Sequence, residues 1–292
     1  MINVIYDMET NDPDDAFTLC LLAGHPEVNL LGVTIVPGST AQVSLVKHIL
    51  KLLDKPDVFV GGRKPDHPKT CVSGFHYKWL GDKIPEAEQT NTPAYIFKFC
   101  YNTAPKLMPI TGAPLHNLFD FVQEYQPEID TWVAQGGFAG CDIIPEEQQL
   151  EKFRGKKTCA TFNLGGNKKA SLALVNYGGI KNKFFVSKDI CHSMIYDQEM
   201  HERIAPFRHN NVGIKMIYEG MSVYLNKKSE GKKFHDPLAA CVAIDRSICK
   251  FKEVELYRHK GEWGSRESGN PNANISVAVD REKFEKVLVG NG

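Results

Sequence analysis

Val4-Ile5-Tyr6-Asp7-Met8-Glu9-Thr10-Asn11-Asp12-Pro13-Asp14-Asp15 is the stretch on which the fold is decided. The β-branched, apolar run from Ile2 to Tyr6 predicts a buried strand. It runs straight into five carboxylates, those of Asp7, Glu9, Asp12, Asp14 and Asp15. Ala16, Leu19, Leu21 and Leu22 follow at helical spacing, with Asp14 or Asp15 the expected cap. A helix dipole favours an acidic side chain at its N-terminus by about 0.3–1 kcal/mol. That accounts for one or two carboxylates, not for five on a single turn. Carboxylates this close raise one another's pKa unless a cation sits among them. Hard oxygen donors of this kind suit Ca²⁺ or Mg²⁺.

Outward from this turn, apolar strands are expected at 30–36, 58–60, 107–110, 131–134 and 183–186, separated by amphipathic helices. Strands apolar throughout, alternating with helices, predict an α/β fold: an open, mostly parallel sheet with helices on both faces. Such sheets bind ligands beyond the carboxyl ends of their strands, where the acidic turn and Pro37-Gly38-Ser39 lie. Between 61 and 92 periodicity fails around Phe75-His76-Tyr77-Lys78-Trp79. That segment reads either as a lid over a site or as a surface loop tucked down by Trp79. The lysines around 227–233 read as an exposed connection, and 261–273 as a Gly-rich loop holding Trp263. Asp236, just before Pro237, is the expected N-cap of a late helix. With no repeat or linker in the sequence, a single domain over 1–292 is expected.

Apolar and charged fractions of 42% and 24% are ordinary for a globular protein. The net charge of zero gives no reason to expect nucleic acid or an anionic membrane as partner. No membrane-length apolar run or signal-peptide pattern is present, so a cytoplasmic location is expected. The eight cysteines are scattered without metal-ligand spacing, which fits reduced thiols.

Several polar features stand at carboxyl ends of strands or starts of helices: the acidic turn, Thr111-Gly112, Asn163 and His235-Asp236. With Leu31-Gly32-Val33-Thr34-Ile35-Val36-Pro37-Gly38, Thr111-Gly112-Ala113-Pro114-Leu115-His116-Asn117, Gln135-Gly136-Gly137, Phe162-Asn163 and Asp189-Ile190-Cys191-His192, the chain resembles the inosine-uridine-preferring nucleoside hydrolases. The resemblance covers essentially the whole chain. It implies Ca²⁺ bound by Glu9, Asp15, the Thr111 carbonyl and Asp236, with a water and ribose hydroxyls completing the shell. It further implies ribose contacts from Asp14 and Asn163, a motif carboxylate as base, and His235 aiding the leaving group. His76 and Trp79, with neighbouring aromatics, would close over the base.

The motif departs from the family's D-x-D-x-x-x-D-D by one extra residue, and Glu9 replaces its second aspartate. Either Glu9 or Asp12 is therefore the base. Ser39, Gln135 and Thr161 stand where the family has an asparagine, a methionine and a glutamate, and Asn167 stands for an aspartate. Thr161 removes a carboxylate from the sugar's 5′ end, with Lys168 and Lys169 close behind, so a 5′-modified nucleoside or a nucleotide becomes an expected substrate. The expected function is Ca²⁺-dependent hydrolysis of an N-glycosidic bond in a ribonucleoside-like molecule, by a homo-oligomer. A catalytically silent Ca²⁺- and ribose-binding protein, and a metal-dependent phosphohydrolase, are the alternatives.

Overall fold

The computed structural model describes residues 1–81, 83–88 and 91–290. In chain order the strands are β1 (Ile2–Met8), β2 (Val28–Ile35), β3 (Phe59–Gly62), β4 (Met108–Thr111), β5 (Ile129–Gln135), β6 (Thr158–Cys159), β7 (Ile180–Val186), β8 (Ile195–Tyr196), β9 (Lys232–Lys233), β10 (Cys249–His259), β11 (Glu262–Arg266) and β12 (Ala273–Val279). The helices are α1 (Pro13–Gly24), α2 (Thr40–Leu52), α3 (Gly74–Leu80), α4 (Pro93–Thr103), α5 (His116–Tyr125), α6 (Phe162–Gly166), α7 (Lys168–Val175), α8 (Lys188–Cys191), α9 (Gln198–Ile204), α10 (Val212–Leu225), α11 (His235–Ile244) and α12 (Arg281–Leu288).

Ten strands form one sheet in the order β3-β2-β1-β4-β5-β7-β12-β10-β11-β6. Pairings from β3 through β12 are parallel, and those of β10, β11 and β6 are antiparallel. Val4, Ile5, Tyr6 and Met8 are fully buried, as a strand covered on both faces requires. The chain leaves β1 toward β2 and β3, then returns to lay β4 on the opposite side of β1. The order therefore reverses between β1 and β4, and the crevice at their carboxyl ends is where an open α/β sheet binds ligand. Asp7 and Thr111, paired in register, mark that crevice.

Four local expectations need correction. The segment around Phe75 is not irregular: Gly74–Leu80 is helical, and Trp79 and Phe75 pack on Phe17 of α1 at 5.0 and 5.9 Å between ring centroids. Residues 82, 89 and 90 of the stretch read as irregular lie outside the described residues. Trp263 sits in β11, where pairing with β10 buries it completely. The α1 cap is Asp12, with Pro13 at the first helical position, and α11 begins at His235 after Phe234. Asp14, Asp15 and Asp236 therefore stand inside first turns, where their carboxylates do not cap their own helices.

Lys232 is the fourth correction, because it is buried rather than part of an exposed connection. Hydrogen bonding of β9 to β8 fixes its backbone, and its side chain turns inward to the acidic turn. All eight cysteines are free thiols, five of them buried. No helix among the described residues is long and apolar enough to cross a membrane.

Candidate active site

Asp7 is the floor of the crevice. It is fully buried at the end of β1, and its Oδ1 accepts from Thr34 Oγ1 at 2.7 Å and from Asn117 Nδ2 at 2.8 Å. Its Oδ2 has no hydrogen-bond partner. Burial pushes the Asp7 carboxyl up to about 7 against the lowering effect of those two donors. Its carbonyl accepts from Gly112 N at 2.8 Å, which locks the Thr111-Gly112 turn beside β1. Gly112 must be glycine here, since a Cβ would lie 2.5 Å from Asp236 Oδ1.

Above this floor the beginnings of α1 and α11 bring Asp14, Asp15 and Asp236 together. One carboxylate oxygen from each lies within 4.8 Å of the others, and all three residues are buried. Asp15 Oδ1 accepts from Glu9 N at 3.1 Å and from Tyr6 Oη at 3.4 Å. Asp14 Oδ2 accepts from His235 N at 3.1 Å and, at 3.5 Å, from Asp236 N, so it ties the two helix starts together. Asp236 Oδ1 is buried with no hydrogen-bond partner among the described residues. Burial first, then Asp14 and Glu9, raise the Asp236 pKa well above the carboxylate range; burial, Asp236 and Glu9 do the same to Asp15. An all-oxygen cluster with an orphaned carboxylate oxygen is the environment a hard divalent cation relieves.

Glu9 and Asp12, the two possible bases, differ in their surroundings. Burial, then Asp12 and Asp14, push Glu9 up to about 7, and no cation pairs with it among the described residues. Asp12 is half exposed and bound by Lys232 Nζ at 2.8 Å; the same ammonium reaches Asp14 Oδ1 at 3.0 Å. Burial alone would lower the Lys232 pKa, but Asp14 and Asp12 outweigh it and raise it, so the ammonium stays charged.

Beyond the carboxylates stand two neighbouring imidazoles, His235 and His192, 4.8 Å apart between ring centroids and tilted by 38°. Burial and then Lys232 pull His235 down to about 4, leaving it neutral near pH 7, and its Nε2 is buried without a partner. Asn163 Nδ2 donates to the Gln135 carbonyl at 3.1 Å and to Gln135 Oε1 at 2.8 Å, and Gln135 Nε2 reaches Cys191 Sγ at 3.2 Å. Thr161 is buried beside them with an unpartnered Oγ1. Ser39 Oγ donates to the Thr70 carbonyl at 2.6 Å and caps α2 in a reciprocal box with Gln42. His76 is fully buried, its Nε2 2.9 Å from the Thr10 carbonyl, and so pins α3 to the acidic turn. Trp79 stands in the aromatic group formed with Phe17 and Phe75.

The family model for inosine-uridine preferring nucleoside hydrolases matches residues 4–286. The chain belongs to that family. Its members cleave N-glycosidic bonds, and this chain is a nucleoside hydrolase of that class. The fold agrees with solved relatives. An inosine-guanosine nucleoside hydrolase superposes with a TM-score of 0.73 at 16% identity, covering 100% of this chain and 98% of the other. A plant nucleoside hydrolase gives 0.71 at 17%, covering 99% and 98%. A purine-preferring ribonucleoside hydrolase from Gardnerella vaginalis gives 0.69 at 16%, again covering 99% and 98%. No curated protein matches the chain.

Within this nucleoside hydrolase, sequence reasoning missed Lys232, Thr34 and the role of Asn117. Thr34 and Asn117 were legible only as a strand residue and a motif member; nothing local says that both donate to Asp7. Lys232 lies four residues before Asp236 in a basic run, and an acidic turn in need of a cation was the one available hint.

Proposed function

We propose that this nucleoside hydrolase uses Ca²⁺ to hydrolyse the N-glycosidic bond of a ribonucleoside-like substrate. The observation that carries the reading is the buried triad Asp14, Asp15 and Asp236, with Asp236 Oδ1 unpartnered among the described residues. Asp15, Asp236 and the Thr111 carbonyl would hold the ion, with Glu9 next to them. Ca²⁺ bound there would orient a water, lower its pKa and contact ribose hydroxyls.

Glu9, rather than Asp12, is the base in this reading. Asp12 is held in an ion pair by Lys232, whereas no cation of the described residues pairs with Glu9, which leaves its carboxylate free to take a proton from water. As water oxygen bonds to the anomeric carbon, the carbon–nitrogen bond breaks and its electron pair leaves with the base. Oxocarbenium character on the sugar is then stabilised by the surrounding carboxylates. Asp14, already fixed by Lys232 and two backbone amides, gives a rigid acceptor for a ribose hydroxyl, and Asn163 a second polar contact. His235 is neutral and offers an N–H to the leaving nitrogen, or packs against the base, rather than storing a proton.

Calorimetric titration of Ca²⁺ into metal-stripped protein, paired with release of free sugar from a panel of nucleosides and nucleotides, tests this. Binding lost in Asp236→Ala with circular dichroism unchanged is the expected result, together with turnover that a chelator abolishes. A protein that turns over a nucleoside undiminished by chelation would refute the metal's part in it.

A further inference from the structure

Lys152 and Lys188 converge beside His192, whose ring meets that of His235 at the site. Lys152 Nζ is hydrogen-bonded to His192 Nδ1. Lys188 Nζ donates to the Ala160 carbonyl at 2.8 Å, one residue from Thr161 and its unpartnered Oγ1. Both ammonium groups lie over the ring of Phe153, at 4.9 and 5.9 Å from its centroid. Phe153 in turn meets His192 edge-on at 5.3 Å. Lys233 directly follows the Lys232 that binds Asp12 and Asp14.

Neither Lys152 nor Lys188 is in an ion pair among the described residues. The acids that might have neutralised them are engaged elsewhere: Glu151 with Arg154 at 3.0 Å, Asp142 with Lys157 at 3.1 Å, and Asp189 with the Ala139 amide at 2.7 Å. Solvated surface lysines spread apart to lower their repulsion; Lys152 and Lys188 instead share the ring of Phe153. The excess positive charge is felt locally. Burial first, then His235, Lys152, Lys233 and Lys188, pull His192 down to about 3.

Deepening the reading of the site as an N-glycosidase, on which it rests, we infer that the substrate is an anion: an N-riboside carrying a phosphate or carboxylate group that Lys152 and Lys188 receive. The group's two sources are a 5′-phosphate on the ribose and a carboxylate on the leaving base. The cations in question are not the two that open the helix after Thr161. Lys168 and Lys169 are exposed on α7, Lys169 over the ring of Phe119.

The test compares kcat/KM for a neutral nucleoside, its 5′-monophosphate and a riboside of a carboxylated heteroaromatic base, with ribose and ribose 5-phosphate binding measured by calorimetry. A preference of at least tenfold for one anionic substrate over the neutral one, which falls at least tenfold in the Lys152→Met/Lys188→Met double variant, is expected. Which anionic arm wins assigns the group to the sugar or to the base, and tighter binding of ribose 5-phosphate than of ribose accompanies the first assignment. Equal kcat/KM for neutral and anionic substrates overturns the inference and leaves the N-glycosidase reading standing. Absence of any sugar release overturns that reading instead, and equal binding of ribose and ribose 5-phosphate alongside it removes the sugar-phosphate assignment too.

Discussion

Lys232 Nζ lies 3.0 Å from Asp14 Oδ1, and this ion pair is almost wholly buried, with side-chain exposures of 7% and 1%. The acidic crevice therefore carries its own tethered cation. Asp14 spends its other oxygen on the amides that open α11, so the lysine, the aspartate and the helix start form one strut. The strut sets the distance between Asp15 on α1 and Asp236 on α11.

Replacing Lys232 by Met leaves Asp14 as a buried, unpaired carboxylate. Breaking a buried pair from one side costs about 3–5 kcal/mol. The expected outcome is a lower melting temperature for metal-free protein, with much of the loss recovered by saturating Ca²⁺. Adding Asp12→Asn to Lys232→Met should relieve the repulsion among the remaining acids and raise the melting temperature above that of the single variant. Scanning calorimetry with and without Ca²⁺ reads both effects. A variant as stable as the wild type in metal-free buffer would mean that the strut carries no weight.

Glu9 and Asp12 separate by their pairing, and variants separate them by rate. Glu9→Gln keeps the shape and removes the base, so kcat should fall by about 10²–10⁴-fold. Asp12→Asn frees Lys232 to serve Asp14 alone, and kcat should change less than tenfold. The reverse order would make Asp12 the base.

The sheet was legible because parallel strands buried on both faces are written as uninterrupted apolar runs, as in Val4-Ile5-Tyr6 and 30–36. The acidic turn was legible because five carboxylates exceed what capping can use. Local residue preferences misled where tertiary packing overrode them. Gly74–Leu80 has one helical turn's worth of aromatics that become ordered only against Phe17, so its pattern alone carried no periodicity. Lys232 was read as solvated because lysine usually is; its burial depends on Asp12 and Asp14, more than two hundred residues away in sequence. The choice between Glu9 and Asp12 lay beyond sequence for the same reason.

Trp79 now sits where truncation should cost stability. Its ring packs on Phe17 and Phe75, and α10 approaches so closely that a Cβ on Gly220 would lie 2.8 Å from Trp79 Cε2. Trp79→Ala should destabilise the fold by about 3 kcal/mol, read from denaturant melts, while Ca²⁺ affinity stays within threefold. Hydrogen exchange at Gly74–Leu80 is the second readout. Exchange much faster than in α1, slowed by a bound nucleoside, would instead identify α3 as a lid.

The pH dependence follows from the sign of the carboxylate shifts. Burial pushes Asp7 up to about 7, burial and then neighbouring acids push Glu9 up to about 7, and the same causes raise Asp15 and Asp236 well above the usual carboxylate range. In the unfolded chain these groups lose their protons near pH 4. Between pH 4 and 7 the metal-free folded state therefore holds more protons than the unfolded one, so stability falls as pH rises through that window. Stability from these groups is fully present below pH 4 and is lost upward. Lys232 does not reverse the trend, because Asp14 and Asp12 raise its pKa and its ammonium stays charged across the window. The melting temperature of metal-free protein should thus drop from pH 5 to pH 8, by an amount on the order of a few kcal/mol in unfolding free energy. Ca²⁺ competes with protons for the same oxygens, so its affinity should rise over the same interval and its stabilisation should be largest at pH 8. Asp236→Asn, which cannot ionise, should flatten the metal-free profile and weaken the response to Ca²⁺ together. A metal-free melting temperature that climbs from pH 5 to pH 8 would show that these carboxyls are already ionised near pH 5, and the crowded-acid description of the crevice would fail.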